Sequence, residues 1–426
     1  MIATFALTLT SCKKDACKDV TCPTGQICDD GTCKDDPNAI ETEKSGKISN
    51  DETWTADKIW TLKGRVIVEA GVTLTIEPGT IIKGKEGTGA NASALIIARG
   101  GKINAVGTAA KPIIFTTVLD NIKVGEQTGS NLDEGDAGKW GGLIVLGKAK
   151  ISAKAGDTEA QIEGIPADET YGKYGGSDDA DNSGTIKYVS IRHGGALIGE
   201  GNEINGLTLG GVGSGTSISY VEIVSNLDDG IECFGGSVKI DRALVAYQGD
   251  DGFDIDQNFS GSFENSMVVY NNTGDELLEI DGPENTTHTN GMFTIINSTF
   301  ISKTSDGSVD LKSKAQGVIK NCKFTGLTKF SLSAKYESDC ITPKTDAYDH
   351  YVAASPTLEI KDNNAGSATV NVYTKSEDGS SNVCTLTAGY QTTADGIYSS
   401  ASNNGSATGA TLSDFNWTWT AINNKF

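Results

Sequence analysis

From residue 216 onward, short runs in which apolar and polar residues alternate return at nearly constant intervals. TSISYVEIVSNLDDGIECFGG is followed by SVKIDRALVAYQGDDGFDIDQNFSG and then by SFENSMVVYNNTGDELLEIDGP, so Ile218, Ile240 and Phe263 open equivalent segments 22 and 23 residues apart. Alternation with period two puts successive side chains on opposite faces of a strand. A unit of this length holds two or three such strands with their turns, which is one coil of a β-solenoid. A leucine-rich repeat has a similar length but needs a leucine consensus and a helical segment, and a propeller blade needs about twice the length. The repeat continues through TIINSTFISKTSDGSVDLKS and VIKNCKFTGL. It extends backwards, more loosely, through GTIKYVSIRHGG, KPIIFTT, ALIIARGGKINAVG and RVIVEAGVTLTIEPGTIIKG.

The pattern predicts an all-β chain whose body, residues 41–334, is a single-stranded right-handed parallel β-helix. Residues 41–63 cover its first edge, and the polar, glycine-rich stretches at 120–139 and 154–182 leave it as loops. Residues 335–426 read as a β-rich cap, because TLEIKDN, ATVNVYTK and CTLTAGY look like strands of a different arrangement. Trp417 and Trp419 in DFNWTWTAINNKF fall on one strand face, where closing the open end of the helix is favoured over stacking on sugar. Asn265, Asn297 and Asn321 each follow a strand-opening Phe or Ile by two residues, the spacing of an internal hydrogen-bonded ladder. GGVGSGT at 210–216 lacks the lysine and helix of a phosphate loop and reads as a tight corner.

The cysteines add a compartment. Leu9, Thr10 and Ser11 precede Cys12 at the end of an apolar run, so residues 1–11 are expected to be a lipoprotein signal peptide and Cys12 the acylated residue, although no basic residue opens the run. The alternative is a buried first strand. Setting Cys12 aside leaves eight cysteines, an even number that suits an oxidising compartment. Cys17, Cys22, Cys28 and Cys33 crowd a segment too poor in apolar residues to build a core, so two disulfides are expected there, with three pairings open. A zinc site is the competing use, against which no C-x-x-C pair occurs. Residues 12–40 thus read as a tether, and the spacing resembles the front half of an EGF-like unit. Cys340 and Cys384 are expected to pair, with Cys322 as the alternative partner, and Cys233 should face the core.

Charge then narrows the partners. The formal net charge is −21, with arginine only at 65, 99, 192 and 242, which argues against nucleic acid and anionic lipid and makes cations the natural counterweight. Aligning the coils by their DDG-type corners sets Ile231, Phe253, Leu278 and Val309 toward the core and Glu232, Asp254, Glu279 and Asp310 outward in one column. A second column holds Asp256, Asp281 and Lys312, while Asp228, Asp229, Asp250, Asp251, Asp275 and Glu276 crowd the adjoining corner. At a coil spacing of ~4.8 Å and an effective dielectric near 20, adjacent carboxylates repel by about 3.5 kcal/mol. Bound Ca²⁺ resolves this, with Glu232, Asp254, Asp256, Glu279, Asp281 and Asp310 as candidate ligands. The competing account is ordinary Asp-Gly turn chemistry and hydrated carboxylates with raised pKa values.

Calcium beside a basic group is also the equipment of a polysaccharide lyase, for which Lys312 and Arg242 are the basic candidates here. The plainer expectation is that Lys312 ends the acidic stack in an ion pair. Arg192 and His193, adjacent in SIRHGG, read as turn-capping groups. No G-x-S-x-G elbow occurs, and His193, His288 and His350 stand apart.

The phrases VTLTIEPGTIIKG, GANASALIIARGGKINAVGT, WGGLIVLGKA, NEINGLTLGGVGSGT, DDGIECFGG and LEIDGPE resemble those of β-helical lipoproteins on the surfaces of Bacteroidetes-type bacteria, over roughly residues 50–330. The resemblance implies a pectate-lyase-like fold and an outer-membrane address facing the cell exterior; it implies little chemistry, since fold alone does not carry function. The reading is a lipid-anchored, non-catalytic binding or adhesion solenoid, calcium-dependent and glycan-directed, with polysaccharide or an outer-membrane protein as partner. A calcium-dependent polysaccharide lyase and a structural component of an outer-membrane assembly are the alternatives.

Overall fold

The computed structural model describes residues 17, 20, 26–29, 31–35 and 42–426, except 154–155, 199–203, 272–273, 285 and 305–306. Cys12 and Cys22 lie outside the described residues. The chain divides into two compact units, Met1–Glu43 and Lys44–Phe426. In the first, Gln26–Asp29 and Thr32–Asp35 form an antiparallel hairpin with Cys28 opposite Cys33. Cys17 is bonded to Cys28, and Cys33 is also in a disulfide.

The second unit is a parallel β-helix whose coils stack in register on three sheets. The first sheet starts at Glu52–Trp54, Thr73–Ile76 and Lys102–Val106. It takes in the leading halves of Gly184–Arg192, Ser217–Val224 and Lys239–Ala246. It ends in Ser262–Glu264, Phe293–Ile296, Gly317–Lys320 and Leu358–Lys361. Ile218, Ile240 and Phe263 are direct neighbours on it, so the 22- and 23-residue steps are single coils. The second sheet begins with the leading half of Ile59–Val68, Ile81–Gly84 and Ile113–Thr117, continues through the trailing halves of the same three long strands, and ends in Met267–Tyr270, Thr299–Ser302 and Lys323–Thr325. The third runs from the trailing half of Ile59–Val68 through Ala94–Ile97, Leu143–Leu146 and Leu207–Gly210. It then carries Ile231–Phe234, Phe253–Asp256, Leu278–Asp281, Gly307–Lys312, Leu327–Tyr336 and Thr369–Lys375. Inward residues fill the barrel in stacks, as where Phe253 lies 4.2 Å from Phe263 between ring centroids.

From Gly184–Arg192 onward, a single left-handed residue turns the chain from the first sheet to the second in seven successive coils. Tyr188, Tyr220, Arg242, Asn265, Asn297, Asn321 and Asp362 occupy this position with φ between 50° and 56°. Asn and Asp adopt such a φ more readily than other side-chain-bearing residues, which accounts for the asparagines in the later coils. Their side chains point outward: Asn321 is exposed and donates to Asn297 Oδ1 at 2.6 Å, while Asn265 donates to Asp241 instead. The internal ladder lies one residue further on, where the chain has turned inward. Ser266 Oγ accepts from Ala243 N, Ser298 Oγ from Ser266 N and Asn363 Oδ1 from Cys322 N, at 2.9–3.1 Å. All of these groups are buried and would otherwise lose their bonds to water.

The ladders do not stop at residue 334. Leu358–Lys361 and Thr369–Lys375 add to them in parallel, and the helix Tyr390–Ser400 then covers the last strand. Gln391 accepts from Val372 N at 2.9 Å and donates to Val370 O at 3.0 Å, blunting an edge that would invite further pairing. Cys340 and Cys384 are disulfide-bonded; Cys233 and Cys322 are free and buried.

Trp417 and Trp419 are not at the open end. The closing segment returns along the outside of the second sheet, where Trp419 joins Val224, Leu244, Ala246, Met267 and Val269, and Trp417 meets the edge of Tyr188. The fully buried Glu222 carboxylate holds this segment, accepting from Trp419 N, Thr420 N and Thr420 Oγ1 at 2.8–2.9 Å.

Candidate metal centre

The outward face of the third sheet changes character partway along one column. Ile67, Ile96 and Ile144 stack in successive coils. With Phe234 they are buried in an apolar cluster formed by Ile151, Ile162, Ile165, Tyr174, Ile198 and Ile204 from the excursions. The same column continues through Thr208, Glu232, Asp254, Glu279 and Asp310 to Ser331. Ile231, Phe253, Leu278 and Val309, which alternate with the acids, are fully buried. In the neighbouring column Asp256 pairs with Phe234 and Asp281 with Lys312.

The acids converge most closely at the corner entering this sheet. Asp229, Glu232 and Asp254 bring one carboxylate oxygen each within 4.8 Å of the others, as do Asp228, Asp229 and Asp250, and again Asp251, Glu276 and Glu279. The corners are chained together: Asp229 accepts from Asp251 N at 2.9 Å, and Asp251 from Glu276 N at 2.7 Å. Asp229 and Glu232 are each only 6 % exposed. Asn205, 2 % exposed, donates through Nδ2 to Glu232 Oε2, yet its own Oδ1 has no hydrogen-bond partner, nor has the buried Asp254 Oδ1. Orphaned buried oxygens are costly; one of these belongs to the cluster itself, and the other is on the amide bonded to Glu232. The set is all oxygen, mixed carboxylate and amide, which fits a hard cation such as Ca²⁺ and not zinc or copper.

Electrostatics sharpens the conflict. Burial first, then neighbouring like charges, push the Asp229, Glu232 and Asp254 carboxyls well above the ordinary range. Asp256 and Asp281 are raised for the same reasons. Burial raises Asp310 to about 6 despite a hydrogen bond from Tyr373. Lys312 lies among them, bonded to Glu279 and 3.6 Å from Asp281, so its ammonium is committed to two carboxylates.

The remaining candidates sit elsewhere. Arg242 is at the corner between the first and second sheets, held by Asp414 at 2.7 Å and stacked over Tyr220, and does not share this face. Buried Arg192 donates to Ser190 Oγ and Gln127 O, and His193 Nδ1 meets Asp136 O, so the two anchor the 120–139 loop. Asp229, already in the crowded corner of the sequence reading, joins the candidate ligands, whereas Asn205 escapes a search for outward strand positions because it precedes its strand. Their signal is the aligned corner Asn205-Gly206, Asp229-Gly230, Asp251-Gly252, each before a strand opener.

Fold and site together define a three-sheet parallel β-helix with a carboxylate-lined flank. The family described as the pectate-lyase-like β-helix domain matches residues 46–421, and the chain belongs to it. No curated protein and no solved structure matches the chain.

Proposed function

We propose that this protein is a cell-surface lipoprotein, anchored through Cys12 in the outer membrane and facing the exterior, that binds carbohydrate in a calcium-dependent way along the acidic flank of the third sheet. The pectate-lyase-like β-helix fits a carbohydrate-directed solenoid. The observation that carries the calcium reading is the Asp229–Glu232–Asp254 cluster, in which Asp254 Oδ1 has no hydrogen-bond partner, with the unpartnered Oδ1 of Asn205, whose amide bonds Glu232. Calcium neutralises the clustered charge and leaves coordination positions for sugar hydroxyls or carboxylates. Binding is favoured over a lyase activity because the basic candidate on the flank, Lys312, is tied to Glu279 and Asp281, and a catalytic base needs a free lone pair.

The test is the thermal midpoint of the protein in calcium and in chelator, for the wild type and for Asp254→Asn with Glu279→Gln. Calcium is expected to raise the wild-type midpoint by several degrees and to leave the double variant nearly unmoved. Titration with polygalacturonate and with neutral glycans then reads binding, and release of unsaturated fragments reads cleavage. An equal midpoint in calcium and chelator would sink the metal site and the calcium-dependent binding with it.

A further inference from the structure

The helix Tyr390–Ser400 covers the last strand of the third sheet only in part. Its first turn is tied to that strand by Gln391, through Val372 N and Val370 O. Between its later turns, residues 402–405 and residues 366–370 lies a cavity of about 790 Å³, within the ~300–1,000 Å³ typical of small-ligand sites. The wall at 402–405 is fastened to the stacked coils: buried Asn403 donates to Ile360 O at 2.9 Å and accepts from Asn363 Nδ2 at 3.0 Å. Asp395 is the single charged residue of the lining, which holds no Lys, Arg or His. Its Oδ1 accepts from Gln391 Nε2 at 2.9 Å. Among the described residues, no hydrogen bond engages Asp395 Oδ2 or the side chains of Ser367, Thr369 and Asn404 around it. Tyr398 lines the same cavity and is only 8 % exposed, yet its hydroxyl has no hydrogen-bond partner. The ring is held against Phe330, 5.8 Å between centroids. A buried hydroxyl left unpaired is costly, and here it belongs to a cavity whose other polar groups are also uncommitted.

We propose that this cavity is a second ligand site, which takes one pyranose ring of an uncharged glycan. Adjacent hydroxyls of a sugar each donate one hydrogen bond and accept others. Asp395 Oδ2 accepts from one of them, the Asn404 amide donates to its neighbour, and the Ser367 and Thr369 hydroxyls serve in either role. The Tyr398 hydroxyl gains the partner that the free protein does not supply. A carboxylate with no cationic group beside it repels uronates and other anions, and one carboxylate is too few for calcium, which draws on six to eight oxygens. The site is therefore distinct from the acidic flank in place and in ligand, and it does not rest on the calcium reading.

Saturation-transfer NMR of the full chain with glucose, galactose, mannose and N-acetylglucosamine, run in chelator, reads this site apart from any calcium-dependent one. At least one of the four is expected to bind, and galacturonate is expected to give no signal. Ser367→Trp, a change at an exposed position that fills the cavity, should abolish binding and leave the thermal midpoint as in the wild type. Asp395→Asn should weaken it about tenfold, the loss of a hydrogen bond to a charged group. Tyr398→Phe removes an unpaired hydroxyl, so the midpoint should stay level or rise while binding weakens about fivefold. A buried tyrosine with no part in binding would leave the affinity of Tyr398→Phe unchanged, which would overturn its role. Silence from all four sugars, or binding that survives both Ser367→Trp and Asp395→Asn, would overturn the site. A galacturonate signal as strong as that of the neutral sugars would overturn its neutral specificity.

Discussion

Lys312 shows how one residue sets the charge balance of the flank. Its ammonium is about a fifth exposed and lies between Glu279 and Asp281, so it does the work of a resident monovalent cation at the end of the acidic run. Lys312→Met should lower the midpoint in chelator, at a cost of ~1–2 kcal/mol, between the values for exposed and buried pairs. The same change frees two carboxylates, so calcium should restore more stability in the variant than in the wild type. Thermal scans in chelator and in calcium check both signs, and a smaller calcium effect in Lys312→Met would contradict this balance. Lys312 and its partners were legible from the aligned corners. Arg242 was not placed correctly by sequence, because its left-handed φ turns it out at a different corner, onto Tyr220 and Asp414.

At the scale of elements, the coils and the pieces laid against them obey different rules. Strands pair with the equivalent strand one coil away, and the alternation of the sequence decides which residues face inward. The closing segment obeys no repeat and is held by Trp419 and by the Glu222 bonds. Trp419→Ala should cost about 3–5 kcal/mol, the range for removing a buried aromatic. Because the loss falls on an attached segment, hydrogen exchange should rise most over residues 412–425 and over the second-sheet strands beneath, while the calcium response of the third sheet stays as in the wild type. Uniform loss of protection through all three sheets would instead make the segment part of the cooperative core. The internal ladder of Ser266, Ser298 and Asn363 was displaced by one residue from the asparagines that signalled it, since the left-handed position that favours asparagine also points its side chain out of the barrel.

For the whole molecule, the acidic flank makes stability depend on pH in a direction that can be stated. Asp310 is raised to about 6, and Asp256 and Asp281 are also raised, against about 3.9 for Asp in an unfolded chain. The folded state therefore holds these protons more tightly than the unfolded state. The stabilisation is complete below about pH 4 and is lost as the pH rises through the folded values. In chelator the stability should fall between pH 5 and pH 7 by an amount on the order of 2 kcal/mol, and the thermal midpoint with it. In calcium, which binds the deprotonated carboxylates, it should stay level or rise over the same interval. A midpoint that climbs with pH in chelator would mean that the flank is solvated and its carboxylates ordinary.

The β-helix and its acidic columns were determined by the sequence because a solenoid converts a one-dimensional repeat into vertical neighbours. Once Ile231, Phe253, Leu278 and Val309 are aligned, in-register pairing leaves Glu232, Asp254, Glu279 and Asp310 nowhere to stand but above one another. The Cys340–Cys384 bridge was legible as well. Tertiary structure alone decided where the non-repeating chain lands: the excursion 156–175 over the apolar half of the third sheet, the closing segment on the second sheet, and Asn205 beside Glu232. Those placements depend on excursions whose lengths follow no period and on apolar clusters that gather residues far apart in the chain, such as Ile162 and Phe234 in one and Trp419 and Val224 in another. No local pattern encodes such contacts; they form because each leaves the least apolar surface in water once the coils are stacked.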